Sequence, residues 1–564
     1  MTMAVGFLSL PTELICHILI LLNPRDIIRC AMTCNIFWLA VRNSVYIQCK
    51  LEIYAQSLIN TGTATTNSTG VARKTLCSLK KLASLWRSDF HATTTFETVV
   101  TTAATWESTL PIQDVKCGLW WSHSLGENKF YIQGCDSNPT LSRTWSIGDV
   151  EGFLTTFDPL QDLMVVCSEH DYYVAVTDAT QDYHVCWVEF RLASSQHPHP
   201  SAECTSLECK HTFDAPGDYR AALSPPVICG DRVFILYYIE NTADDCHPEP
   251  VSGMFIQVIN WRKGYVNRHF LCRLGVCELD LFYLVDEQKL VVIGPEGSIY
   301  LYTLQGLNGS PQCRIIYHLP KIFHLSLYNC QVKVHGHPSL HGKAARPGLM
   351  PSYVPSLESQ IMVLEFLPKA GKAILVIDMA IFSDMALRSD MLVEIPWSDW
   401  GPQYASYFPH HESYDISVFG SKMAYALPQD HIPNPGQTLE GLSSEGYFYV
   451  HIWDFNKRVI ARSECVNDPD SPDLRICKPG RMIDSFGEDI VSNRAYIATV
   501  CRTPFPTAGS RMFLEQDQLT VTSARQHEIS IQVISPIQTD IGSDLTEQTV
   551  WSKTVGLSDA DVVL

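Results

Sequence analysis

Positive charge is scarce in this chain. Of 564 residues, 41 are Lys or Arg against 60 Asp or Glu, a formal net charge of −19. The deficit is uneven: residues 1–90 carry nine Lys/Arg and four Asp/Glu, a net of +5, so the remainder stands at −24. An acidic body without a basic stripe repels a phosphate backbone, which excludes nucleic acid as the expected partner. Long apolar runs are also lacking. No segment reaches the roughly 18 uncharged apolar residues that a membrane span needs. Residues 3–22 are apolar, but no Lys or Arg precedes them and Glu13 and His17 interrupt them, so a secretory signal is not expected. Catalytic signatures are missing too. There is no G-x-x-x-x-G-K-[ST], no G-x-G-x-x-G, no G-x-S-x-G and no C-x-x-C. His411-Glu412 opens like a zincin helix, yet Asp415 stands where the second histidine would be. The chain is therefore not expected to be an enzyme or to hold a cofactor.

Cysteine is plentiful, with 20 residues. Their spacing is irregular, and Cys167, Cys186 and Cys229 sit inside apolar runs, where a free thiol behaves as a small hydrophobe. This favours a reduced, intracellular compartment, cytoplasm or nucleus. The sequons at Asn67 and Asn308 count only in a secreted protein. Cys204, Cys209 and His211, near His197 and His199, form the best metal-like group but lack regular pairing. The same holds for His335, His337 and His341, and for Cys30 with Cys34. No metal is expected.

The hydrophobic share of 46% and charged share of 18% are those of a globular protein, and the length allows two to four domains. The first 90 residues read as helices. Leu14, Ile18, Leu21 and Leu22 recur at helical spacing behind Pro11 and Glu13. Asn23-Pro24-Arg25-Asp26 reads as N-cap, N1, N2 and N3, with Asp26 able to reach back as in a capping box. Asn35 is a candidate cap for a third helix holding Phe37, Trp38 and Val41. Leu51 to Leu58 would prolong it, and 61–70 (TGTATTNSTG) reads as a flexible linker. Leu76, Leu79, Leu82, Leu85 and Trp86 mark one more amphipathic helix, to about Phe90.

The stretch LSLPTELICHILILLNPRDIIRCAMTCNIFWLAVRNSVYIQCKLEIYA resembles an F-box. The family opening L-P-x-E-[LI] is met by Leu10-Pro11-Thr12-Glu13-Leu14, and the turn L-[DN]-P-x-D-[LI] by Leu22-Asn23-Pro24-Arg25-Asp26-Ile27. Cys30, Cys34, Phe37 and Trp38 follow in family order, although Thr33 and Asn35 depart from the usual Val and basic residue. The resemblance covers about one twelfth of the chain. It implies binding to the Skp adaptor, and through it to a cullin scaffold, by an apolar face of Leu10, Pro11, Ile15, Ile18, Leu22, Pro24 and Ile27. The Leu-rich helix ending in Leu85-Trp86 is similar to that of many basidiomycete-type fungal F-box proteins.

From about residue 94 short β-branched and aromatic runs separated by polar turns replace the helical period, as in RVFILYYIE at 232–240 and AILVIDM at 373–379. One echo suggests repetition: VICGDRVFILYY followed by IQVINWRKGYV, and SVFGSKMAYAL followed by VHIWDFNKRVI. In each, a strand, a Gly turn, a second strand and a third strand ending in Asn260-Trp261 or Asp454-Phe455 are closed by a basic turn. Trp453-Asp454 is similar to the Trp-Asp ending of WD-repeat blades. Polar inserts at 193–220, 332–360, 402–413, 428–446 and 464–482 read as loops suited to recognition.

The chain thus reads as an α+β multidomain protein: a small three-helix F-box at 7–50, a helical linker region at 51–93, and a large all-β, β-propeller-like substrate-recognition domain at 94–564. The expected function is the substrate-recognition adaptor of an SCF-type cullin-RING ubiquitin ligase, with an unknown protein substrate. Two alternatives stand beside it: a propeller scaffold without a ligase role, and a secreted, disulfide-bearing β-protein such as a lectin or hydrolase.

Overall fold

The computed structural model describes residues 10–62, 68–101, 112–124, 129–135, 142–146, 153–169, 173–177, 182–213, 216–241, 253–272, 282–294, 297–304, 311–320, 330–337, 351–368, 373–383, 391–409, 415–428, 446–465, 475–477, 481–483, 489–525 and 527–536. Phe7, Asn67, Asn308, His341 and the His411-Glu412 pair lie outside them.

The N-terminal unit begins with α1 (Thr12–Leu21), α2 (Pro24–Thr33) and α3 (Asn35–Asn43). Asn23 caps α2 as expected, its side chain accepting from the Arg25 amide at 3.0 Å, with Pro24 in the first turn where no N–H is needed. Asp26 does not complete a capping box. It pairs with Arg29 at 3.1 Å, one turn on. Asn35 is not a cap either, since Cys34 holds that position in extended geometry. The third helix ends at Asn43, and Ser44 caps a separate α4 (Val45–Ala55) through the Ile47 amide. Ile15, Leu19, Ile27, Ala40, Val41, Ile47 and Leu51 form the unit's buried core. The Lys50 ammonium donates to the carbonyls of Ile20 and Leu22, both at 2.7 Å, satisfying acceptors that the end of α1 leaves open. Helix α5 (Thr69–Ser84) packs on α4 and stops at Ser84, short of Phe90; Trp86 follows at a φ of 60°.

Seven blades of four or more strands follow, antiparallel except for the parallel edge strand Val393–Ile395 of the fourth, and the large domain is a seven-bladed β-propeller. The strands that open their first hairpins are, in order, Ile112–Lys116, Phe153–Asp158, Val227–Cys229, Phe282–Asp286, Cys330–Gly336, Ile416–Phe419 and Ser510–Leu514; the third blade also holds the earlier strands Tyr173–Val176 and Gly217–Leu223. Apolar clusters join each blade to the next around the ring. Phe130 meets Phe157 between blades 1 and 2. Phe190 and Tyr237 share a cluster between blades 2 and 3, and Phe234 and Leu290 between 3 and 4. Ile315 and Leu364 follow between 4 and 5, Val376, Ala424 and Val521 across 5, 6 and 7, and Ile531 and Trp120 back to blade 1. The ring is latched by the ends of the domain. Ala92–Thr101 pairs antiparallel with Glu528–Pro536 and supplies the fourth strand of blade 7. Closure of this kind removes the open edge that a linear array would present.

Strands sandwiched between neighbouring blades are buried on both faces. That is why Lys289–Gly294 and Ala373–Asp378 read as continuous apolar runs instead of alternating ones. The echo noticed in sequence marks equivalent parts of blades 3 and 6. Each Gly sits in the turn between first and second strands, Gly230 and Gly420 both at φ 59°, and Trp261 and Phe455 are fully buried after the third strand. The closing basic turn is kept only in blade 3, where Trp261 to Gly264 turn the chain into Tyr265–Cys272. In blade 6 those residues start helix α7 (Lys457–Cys465), after α6 (Trp397–Tyr404). The polar inserts also hold strands: Ser206–Thr212, Tyr353–Pro355 and Ala405–Pro409.

The helical unit is fastened to the propeller. Leu58–Asn60 pairs with Tyr353–Pro355. The Glu52 carboxylate, 3% exposed, accepts from Arg462 of α7 through both oxygens at 3.2 Å. Asn456 donates to the Gln56 carbonyl at 3.1 Å and accepts from the Ser57 hydroxyl at 3.2 Å. Arg458 donates to the Tyr54 carbonyl at 3.0 Å and lies 3.9 Å over its ring.

Candidate functional site

Two surfaces stand out. The first is the outer side of the helical unit. Leu14, Ile18 and Leu21 line one side of α1, Ile28 and Met32 follow on α2, and Ile36 and Leu39 on α3, all exposed, Leu21 at 82%. Such spacings of three and four residues put each set on one helix face. These are seven of the 17 exposed large apolar side chains among the described residues, drawn from a segment of 26. The seven residues singled out in sequence divide. Pro11 and Ile18 are exposed, Leu10, Leu22 and Pro24 half-buried, while Ile15 and Ile27 are 1% and 0% exposed and face the unit's own core. Sequence reasoning passed over Leu14, Leu21, Ile28, Met32, Ile36 and Leu39 as surface candidates. The available signal was that α1, TELICHILIL, is apolar on two sides, more than one core stripe requires.

The second surface is a cavity of about 480 Å³ on the propeller axis. Its lining comes from the first strands of four blades, with Gln113 and Asp114 from blade 1, His335 from blade 5, Asp415 beside Ile416 from blade 6, and Arg511 from blade 7. Arg511 donates to Asp415 at 3.3 Å, and the Met512 amide donates to its other oxygen at 2.6 Å. His335 Nε2 meets the Glu365 carboxylate at 2.7 Å. Gln113 Oε1 accepts from the Trp120 indole at 3.3 Å and the Thr522 hydroxyl at 3.1 Å. Among the described residues, Asp114 Oδ1 accepts only the adjacent Val115 amide, at 2.8 Å. Desolvation pushes the Asp114 carboxyl up to about 6, against the weaker pull of the Val115 amide and Lys116. Burial raises Asp415 as well, opposed first by Arg511.

Among the described residues, no group of three His, Cys, Asp or Glu side chains is placed to hold a metal. His211 is instead buried against Tyr237, with Nδ1 3.1 Å from its hydroxyl, and His199 bonds the Gln161 carbonyl at 3.2 Å. Fifteen of the described cysteines are free thiols. Among the described residues, no helix is long and apolar enough to cross a membrane.

Residues 7–45 match the F-box-like family model, so the N-terminal helices form an F-box-like domain. The chain joins that domain to a seven-bladed propeller. Comparison with curated proteins finds no match. Among solved structures, the WD40 domain of SCAP from fission yeast is similar at 7% identity, covering 78% of this chain and 98% of that one, with a TM-score of 0.31. The C-terminal WD40 domain of Sif2 matches at 8% identity over 80% and 99%, with a TM-score of 0.30. Sqt1 of Saccharomyces cerevisiae matches at 10% identity over 80% and 100%, with a TM-score of 0.28. Similarities this weak add nothing to the blade count, which rests on the seven sheets and the closing strand.

Proposed function

We propose that this chain is a substrate-recognition adaptor of an SCF-type ubiquitin ligase. The F-box-like domain binds the Skp adaptor and through it a cullin scaffold, while the propeller holds a protein substrate. The chain carries out no reaction itself. It raises the effective concentration of substrate beside the ubiquitin-loaded enzyme, acting inside the cell, in cytoplasm or nucleus. The observation that carries this reading is the concentration of exposed apolar side chains on α1, α2 and α3. A domain of this size buries what it can, and a contiguous apolar surface left in water marks an interface. The docking face is accordingly centred on Leu14, Ile18 and Leu21, with Leu10, Pro11, Leu22 and Pro24 at its margin; Ile15 and Ile27 support it from beneath.

The test is a pull-down of the full chain with purified Skp adaptor. Wild type binds. Leu14→Asp with Ile18→Asp abolishes binding and leaves the circular dichroism spectrum unchanged, because both side chains already face water. Failure of wild type to bind, or full binding by the double variant, overturns the reading. Ile27 is the wrong position for such a test, since a charge at a 0% exposed site unfolds the domain whether or not it touches a partner.

A further inference from the structure

We propose that the axial cavity is a recognition pocket for a basic side chain, a Lys or Arg presented by a protein partner, with Asp114 as its counter-ion. The proposal rests on the adaptor reading and names the chemistry of the segment that the propeller would hold. It follows from how the charges around the cavity are committed. Arg511 is engaged by Asp415, and His335 by Glu365. The cation nearest Asp114 in sequence is Lys116, which is tied to the buried Asp158 at 3.3 Å. Among the described residues, Asp114 is left with one neutral amide donor. It is enclosed by protein yet keeps surface on the cavity, which it lines.

An anion or phosphate would find no uncommitted cation among the described lining residues and would face the Asp114 carboxylate. A guanidinium or ammonium would supply the charge that Asp114 lacks, in a desolvated site where such a pair is stronger than at the surface. The cavity volume, about 480 Å³, falls in the range of small-ligand pockets, roughly 300–1,000 Å³, and admits a side chain with its flanking backbone.

The experiment uses the full chain and fluorescein-labelled heptapeptides of Gly and Ser with one central residue, Arg or Glu, followed by fluorescence anisotropy up to millimolar protein. The Arg-centred peptide binds saturably and the Glu-centred one does not. Asp114→Asn weakens the Arg-centred peptide by about tenfold or more, as loss of a charge-assisted hydrogen bond requires. Asp114→Glu restores part of the loss, a recovery that a packing defect would not give. Equal binding by wild type and Asp114→Asn, equal binding of the two peptides, or no saturable binding at all overturns the proposal. Skp-adaptor pull-down on the same preparations separates the two readings. Peptide binding without adaptor binding supports the pocket and sinks only the ligase, while adaptor binding without peptide binding sinks only the pocket.

Discussion

Removing Arg462 should loosen the helical unit from the propeller. Glu52 lies on α4 at 3% exposure, with both oxygens on Arg462 and one also accepting from Gln56 at 3.0 Å. Breaking a buried pair by deleting one partner costs about 3–5 kcal/mol, because the surviving charge is stranded. The figure must be reduced here. The Arg462 side chain is 25% exposed, and Arg87 also acts favourably on Glu52. For Arg462→Met a cost of about 2–3 kcal/mol remains. A chain with two structural units need not unfold in one step, so the right measure is amide hydrogen exchange on α4, which reports local opening. Exchange there should accelerate by about 30-fold to 150-fold, at roughly 1.4 kcal/mol per factor of ten. Glu52→Gln combined with Arg462→Met should recover about 1 kcal/mol or more relative to the sum of the single variants, because the stranded charge is gone. Additivity within about 0.5 kcal/mol would refute the claim that this pair fastens the two units.

His123 is fully buried with neither ring nitrogen bonded among the described residues, and desolvation lowers its pKa to about 4. Between its unfolded value near 6.5 and about 4 the unfolded chain binds the proton and the native chain does not, so stability falls as pH drops through that window. The contribution is about 3 kcal/mol by pH 4. Asp114, with a raised pKa, acts in the opposite sense, so the check is the difference between wild type and His123→Leu in urea titrations at pH 7 and pH 4.5; an unchanged difference would falsify the assignment. Gly420→Ala should destabilise the first hairpin of blade 6 by about 1–2 kcal/mol from backbone strain alone. A Cβ there also meets the Pro355 ring at 2.7 Å, and faster proteolysis near 420 is the readout. Ile27→Asp should abolish the helical signal of the F-box-like domain, whereas Leu21→Asp, at an 82% exposed site, should leave thermal unfolding within about 0.5 kcal/mol of wild type.

What could be read from the chain was what short stretches decide. The Asn23-Pro24 cap, the Leu-rich period of α5 and the Gly turns of the echo are local, and each appears where its chemistry put it. What could not be read depends on distant partners. Nothing near Ala92–Thr101 announces that its pair is Glu528–Pro536, more than 400 residues away. Strand Ser206–Thr212 has the burial pattern of an outer strand, half wet, so its polar composition looks like a loop. The exposed apolar face was blurred for a related reason. An apolar α1 shows which residues avoid charge, but not which side meets its own core and which side waits for another surface, and only packing against Ala40, Val41 and Ile47 decides that.

That packing also fixes how the two surfaces lie in relation to each other. The helical unit and its linker meet the turns that follow the first strands of blades 6 and 7. Asn456, bonded to Gln56 and Ser57, leads α7 beside Ser421, and the Trp86 indole donates to the Gln516 carbonyl at 3.4 Å. The charged residues of the cavity stand at the other ends of those same strands, Asp415 five residues before Gly420 and Arg511 five before Gln516. At about 3.3 Å per residue, the strand separates them by roughly 17 Å. An object seated in the cavity from the far end is therefore kept clear of one gripping the helices, and the bonds through Glu52, Asn456 and Arg458 hold that separation constant. Substitutions at Asp114 and at Leu14 should accordingly act independently, each weakening one binding event without shifting the affinity of the other, which titrating each single variant with the ligand of the other surface can measure.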